Sequence, residues 1–378
     1  MKIVYATTFD ARNVRKWSGT PYFMSQALQT FGHDVQYAGS LARVLPPFFT
    51  VKRFIKSLCQ QRESPRFNVH AAKAYSAQLA AQLTSMDHDV VLSPLINPIA
   101  YLDSKKPIVL WTDAVYASLL GCYPPFAYHS ARTIHEGNAI TFSCLERTRL
   151  AIFASDWAAR AAIEHYGISK NKVKVVPFGA NLLDPPEFND VKEAIAKRAQ
   201  DKIKLLFLAK SWERKGGDIV LAVTTALYQA GFPVELTIVG YEPPELTPCP
   251  PYIRSLGFIS KQTDAGKAQL QQLLSESHFM FVPSRGEAYG IVFCEANAYG
   301  VPCITTHVGG IGSIVKPDIN GMTFGLDTPI GQWCDYIIAL HQDKKRYQEL
   351  ALSSYNEFVT RLNWQSSCAK VTELIRAI

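Results

Sequence analysis

Short apolar runs alternate along this chain with longer stretches in which apolar residues recur every three or four positions. The runs fall at 2–7, 35–38, 90–92, 107–111, 150–154, 173–176, 203–208, 234–239, 253–259, 279–282 and 303–306. Mainly apolar runs of this length, set between Gly, Pro and charged residues, predict strands, and the unbroken ones predict strands buried on both faces. The stretches between them predict helices at 20–31, 114–120, 155–166, 265–275, 291–300 and 331–341. Pro21 suits a first helical turn, Gly32 and Gly300 suit left-handed terminators, and Ser155 suits an N-cap. Asn320-Gly321 reads as a hairpin-type turn. Strand and helix in alternation predict parallel sheets covered by helices, an α/β fold.

The 378 residues exceed what one compact core holds, so two doubly wound, Rossmann-like domains are expected. Pro185-Pro186 and the charged stretch 190–202 mark a linker. The expected division is 1–184 and 185–361, with an amphipathic last helix over about 362–378. A formal charge of +7 favours anionic partners, whether sugar nucleotides, lipid head groups or nucleic acid, without choosing among them. The eight cysteines are scattered, with no C-x-x-C and no His at zinc-ligand spacing, so reduced thiols are expected. Residues 1–6 form a strand too short for a signal-peptide core, and no apolar run is long enough to cross a bilayer. A cytoplasmic protein is expected.

Residues 41–67 stand apart. No acidic residue lies between Asp34 and Glu63, while Arg43, Lys52, Arg53, Lys56 and Arg62 are interleaved with Phe48, Phe49, Val51, Phe54, Ile55 and Leu58. Such a surface suits an anionic membrane, which would make the protein peripheral at the inner membrane face. A half-buried helix with a solvated basic face fits the same pattern.

Chemistry is expected where strands run into helices, because open α/β sheets bind ligands outside the carboxyl ends of their strands. The run 203–208 gives way to Ala209-Lys210-Ser211-Trp212-Glu213-Arg214-Lys215-Gly216-Gly217, with a helix from Asp218. Three cations beside a glycine pair suit a pyrophosphate better than a solvated turn. The run 279–282 breaks at Pro283 into Ser284-Arg285-Gly286-Glu287-Ala288-Tyr289-Gly290, and a helix follows from Ile291. Backbone amides at Tyr289, Gly290 and Ile291 would face an anion there, and Gly290 permits close approach. Glu287 lies in this loop and Glu295 lies in the helix among Val292, Phe293, Ala296 and Ala298. Two readings are open for the pair: contacts to sugar and ribose hydroxyls, or a Glu satisfying the helix dipole plus a solvated Glu farther on. In the first half, Gly19 is either a phosphate-facing glycine or a turn residue. Asp113 is either a substrate contact or a helix cap. Asp87-His88-Asp89 has the spacing of a divalent-metal motif, but it directly precedes the run 90–92 and reads as the polar entrance of a strand.

Glu287, seven residues, Glu295 and then Ala296-Asn297-Ala298-Tyr299-Gly300-Val301-Pro302, with Tyr289-Gly290, Gly309-Gly310-Ile311 and Asn320-Gly321, resemble the signature of glycosyltransferase family 4 (group 1). These are retaining enzymes of GT-B architecture. The resemblance implies two facing Rossmann-like domains with a cleft between them, the first for the acceptor and the second for the donor. It implies that the last helix packs back on the first domain. The implied reaction moves a hexose-type sugar from a nucleotide diphosphate sugar to a glycan, lipid-linked or small-molecule acceptor, in cell-envelope or polysaccharide biosynthesis. No metal or other cofactor and no nucleic-acid partner is implied. Lys210 and Lys215 are five apart, like the family's Arg and Lys on the diphosphate, with Lys210 at the Arg position and Arg214 an additional cation. By the same resemblance Glu287 holds donor-sugar hydroxyls, Glu295 holds ribose, and Gly257 and Phe258 frame the base. Ala288, Tyr289, Gly290 and Ile291, with Gly19 opposite, face the donor. Family members carry His-Asp where this chain has Thr112-Asp113, which puts the His role in doubt and leaves Asp113 for the acceptor or sugar. The alternative is a catalytically inactive nucleotide-sugar or glycan-binding protein of the same fold. A dinucleotide oxidoreductase is disfavoured because no Gly-x-Gly-x-x-Gly follows a strand. Glycoside hydrolysis is disfavoured by the depth of Glu295 in its helix.

Overall fold

The computed structural model describes residues 1–243 and 248–378. They form two compact units, Met1–Asn181 with Trp364–Ile378, and Leu182–Asn363. Each is built on one six-stranded parallel sheet, the α/β fold expected.

The sheet of the first unit comprises β1 (Lys2–Ala6), β2 (Asp34–Ala38), β3 (Val90–Ser93), β4 (Ile108–Thr112), β5 (Leu150–Phe153) and β6 (Val173–Val175). Its order is β2-β1-β3-β4-β5-β6. Every residue of β3, β4 and β5 is buried, which is why these strands read as unbroken apolar runs. The D-x-D spacing serves strand entry: Asp87 pairs with the Lys2 ammonium and Asp89 accepts from the Lys2 backbone N–H at 2.8 Å. The helix after β4 is Tyr116–Leu120 with Val115 as its N-cap, so Asp113 is not its cap. The last helix, Trp364–Arg376, belongs to this unit. Its Trp364 ring packs against Trp111 and Phe178, and its indole N–H donates to Asn181 at 3.1 Å.

In the second unit the charged stretch read as a linker folds as the helix Phe188–Lys197. Val191 and Ile195, one turn apart, are buried against the rest of the unit. Arg198 follows at 4% exposure, and its guanidinium donates to the carbonyls of Ser275, Tyr299 and Gly300 and to the Tyr347 hydroxyl. The charges that suggested a linker thus include one that cross-links the unit.

The second sheet comprises β7 (Ile203–Leu208), β8 (Val234–Val239), β9 (Ile253–Ser255), β10 (Phe279–Val282), β11 (Cys303–Thr306) and β12 (Gly321–Phe324), in the order β12-β11-β10-β7-β8-β9. β9 ends four residues earlier than the run 253–259 suggests, because Gly257 turns the chain through φ +59°. Asn320-Gly321 is not a hairpin turn: Gly321 opens β12, which pairs parallel to β11. The Asn320 side chain is buried and bonded to Asn297 (2.6 Å), the Lys316 N–H (2.7 Å) and the Ile314 carbonyl (2.9 Å). The helix after β10 is Ile291–Asn297, shorter than expected. Among the described residues no helix is long and apolar enough to cross a membrane.

Candidate functional site

In the second sheet the chain runs from β7 outward through β8 and β9, then returns to the other side of β7 and continues outward through β10, β11 and β12. The loops leaving β7 and β10 therefore rise from adjacent strands and diverge. The space between them at the carboxyl edge is where doubly wound sheets take ligands. The loops 209–217 and 283–290 singled out by sequence are these two.

The loop after β7 contains a one-turn helix, Trp212–Lys215, held by the Trp212 indole on Phe207 and Tyr241. Gly216 ends it at φ +72°, and a Cβ there would collide with the Pro283 carbonyl oxygen. A glycine is needed for the two loops to touch. They are then joined by hydrogen bonds from the Arg285 N–H to the Arg214 carbonyl (2.7 Å) and from the Arg214 guanidinium to the Gly286 carbonyl (2.9 Å). The Arg285 guanidinium forks onto Asp218 at 2.6 and 2.7 Å and holds that carboxyl below its ordinary range.

At the centre of this framework lies Glu287, 8% exposed. Its Oε2 pairs with the Lys215 ammonium and lies 3.5 Å from the Arg214 guanidinium. Burial pushes the Glu287 pKa up, but Lys215 and then Arg214 outweigh it, so the carboxyl titrates below its usual 4.5. Two cations and one anion therefore share the crevice. Beside them Gly290 caps the helix Ile291–Asn297 at φ +103°, where a Cβ would come within 2.7 Å of the Phe293 ring. Below, the Ser284 hydroxyl is buried without a hydrogen-bond partner among the described residues.

Lys210 does not join Lys215. Its ammonium stands 4.7 Å above the ring centroid of Phe258, which is 66% exposed, making a cation–π contact. Gly257 supports this platform through its carbonyl, which accepts from the Gly240 N–H at 2.6 Å. Glu295 is buried and pairs through Oε1 with Lys261 at 2.6 Å, which overturns the solvated reading of that residue. Lys261 was missed: it lies 34 positions from Glu295, and nothing local in the sequence marks the pair.

Gly19 and Asp113 belong to the first unit. Gly19, at φ +86°, completes a turn in which Trp17 and Ser18 also take positive φ. Asn181 braces it by donating to the Ser18 carbonyl (3.0 Å) and the Thr20 hydroxyl (3.2 Å). Asp113 directly follows β4 and is half-buried.

Residues 202–343 match the family model described as Glycosyl transferases group 1. D-inositol 3-phosphate glycosyltransferase of Xylanimonas cellulosilytica is 25% identical over 233 residues, which are 57% of this chain and 54% of that protein. The chain spans about half the length of the curated relatives it matches. A glycosyltransferase from Rickettsia africae has a similar structure, with a TM-score of 0.65 at 14% identity over 100% of this chain and 98% of that one. HepE of Anabaena, solved in complex with UDP, has a TM-score of 0.65 at 14% identity over 100% of both chains. Most of the second unit, residues 202–343, thus resembles the group 1 glycosyl transferases in sequence, and the chain has the two-domain α/β fold of GT-B proteins.

Proposed function

We propose that the protein is a retaining, metal-independent glycosyltransferase of family 4. It moves a hexose-type sugar from a nucleotide diphosphate sugar to a glycan, lipid-linked or small-molecule acceptor. The observation that carries this reading is the convergence of Lys215 and Arg214 on the buried Glu287 carboxylate between the loops of β7 and β10. A diphosphate concentrates negative charge, and that charge grows on the leaving group as the sugar–phosphate bond breaks. Cations already fixed beside it interact more strongly with the transition state than with the bound donor, which lowers the barrier. Lys215 and Arg214 fill this role without a divalent metal, and the amides at Tyr289, Gly290 and Ile291 add to it. Glu287, kept anionic by the same cations, accepts from the donor sugar's hydroxyls and fixes its pose.

The nucleoside is assigned to the neighbouring residues. Phe258 with Lys210 above it offers a platform for the base, and Gly257 allows the chain to pass close to it. Lys261 occupies Oε1 of Glu295, so ribose is assigned to Oε2. The acceptor is assigned to the first unit, with Asp113 as its contact. Support comes from the glycosyltransferase relatives and from HepE, solved with UDP. Retention of anomeric configuration rests on the family likeness.

The test is release of nucleoside diphosphate from uridine, guanosine and adenosine diphosphate sugars, with glycan and lipid-linked acceptors supplied. Glu287→Ala and Lys215→Ala should abolish transfer while the circular dichroism of the chain persists. Full activity in either variant would sink the proposal. Donor binding without turnover would make the chain a nucleotide-sugar-binding protein instead.

A further inference from the structure

The helix Phe49–Leu58 in the first unit turns its apolar stripe away from the protein. Val51, Phe54, Ile55 and Leu58 recur at three- and four-residue spacing and so share one face. Their exposures are 55%, 66%, 55% and 71%. Phe49, the one buried residue of the helix, projects from the opposite side, where Lys52, Arg53 and Lys56 also lie. Phe48, at φ +61°, adds another exposed ring at the helix start. The segment is nevertheless anchored. Leu45 packs on the core of the first unit, and Arg62 is bonded through its backbone to Tyr128 (2.7 Å) and Ser130 (3.1 Å).

A half-buried helix with a solvated basic face would have placed this stripe inward, so that expectation is corrected. Five large apolar side chains on one short segment exceed the scatter of apolar residues normal on a surface, and mark an interaction face. Its electrostatics select the occupant. With no acidic residue from 35 to 62, the face calls for a partner that is apolar and negatively charged. A second copy would bring the same positive helix and be repelled. We infer that this helix lies in the interface of an anionic membrane, its stripe at the acyl boundary and Lys52, Arg53 and Lys56 reaching head-group phosphates. The inference does not depend on sugar transfer.

The full chain is to be co-sedimented with vesicles of phosphatidylcholine alone and of phosphatidylcholine mixed with phosphatidylglycerol. It should pellet with the mixed vesicles and not with the neutral ones. Lys52→Gln with Lys56→Gln should lower the partition coefficient about thirtyfold. Phe54→Ser with Leu58→Ser should lower it by about tenfold or more. Both double variants should melt with the wild type, because the altered side chains are exposed. The inference is overturned if the chain ignores anionic vesicles, or if either double variant binds them like the wild type. It is also overturned if sedimentation equilibrium shows a dimer that Phe54→Ser with Leu58→Ser dissolves, which would assign the face to a second copy.

Discussion

Replacing Lys215 with Met tests whether Glu287 is a buried anion held by its neighbours. Both side chains are nearly enclosed, at 12% and 11% exposure. Breaking a buried pair costs about 3–5 kcal/mol, because the carboxylate left behind has lost its solvent and its partner. Arg214 remains 3.5 Å away, so the expected loss at neutral pH is about 2–3 kcal/mol. The pH dependence fixes the cause. In the wild type the folded carboxyl titrates below 4.5, so its contribution is full above 4.5 and lost as pH falls through the folded value. In the variant burial prevails and the folded carboxyl rises above 4.5, so a penalty grows as pH climbs past that point. The gap between the two proteins should therefore be widest at neutral pH, narrow toward pH 4.5, and close only as pH falls through the wild type's folded value. A two-domain chain does not unfold in one step, so the readout is hydrogen exchange of β7 and β10 by mass spectrometry. A loss of about 2 kcal/mol speeds exchange about thirtyfold. Lys215→Met with Glu287→Gln should recover most of it, since no buried charge is then stranded. A gap below about 0.5 kcal/mol at neutral pH, or one unchanged near pH 4.5, would refute the reasoning.

Gly216→Ala forces a methyl group against the Pro283 carbonyl at φ +72°, and should cost about 1–3 kcal/mol by hydrogen exchange of β7 and β10 and weaken nucleotide binding. Gly331→Ala, a helical glycine with open space around it, should instead stabilise by up to about 1 kcal/mol. His278 is buried, and burial first, then Arg198 and His341, push its pKa down to about 3 from 6.5. A His held neutral contributes stability that is full above 6.5 and falls as pH drops toward the folded value. About 2 kcal/mol should be lost between pH 6.5 and about pH 5. Hydrogen exchange of β10 in His278→Gln should show that slope flattened.

The sheets and the two crevice loops were legible because buried parallel strands leave unbroken apolar runs, and because a strand breaking into glycines and cations announces a turn at the carboxyl edge. What local pattern could not show was partnership across the fold. Lys215 and Lys210 look alike in sequence, yet one turns to Glu287 and the other to Phe258. Glu295 finds Lys261, and Arg198 finds three carbonyls, through contacts that only the closed sheet creates. The stretch 190–202 looked like a linker because its charges outnumber its apolar residues, although Val191 and Ile195 sit one turn apart. Asn320-Gly321 has hairpin chemistry, but the Asn side chain is spent on buried partners and the glycine on passing the Cys303 backbone. The amphipathicity of Phe49–Leu58 was plain from spacing, whereas the side that faces the protein depends on Phe49 alone.

The crevice between the loops of β7 and β10 is tested most directly by equilibrium titration of uridine, guanosine and adenosine diphosphates. The proteins to titrate are the wild type, Lys215→Met and, as a charge control, Lys345→Met, whose side chain is 89% exposed in the same unit. At least one nucleotide should bind one-to-one, Lys215→Met should weaken it by about tenfold to a hundredfold, and Lys345→Met should leave it unchanged. Binding equally tight to Lys215→Met, or no binding of any of the three by the wild type, would contradict the assignment.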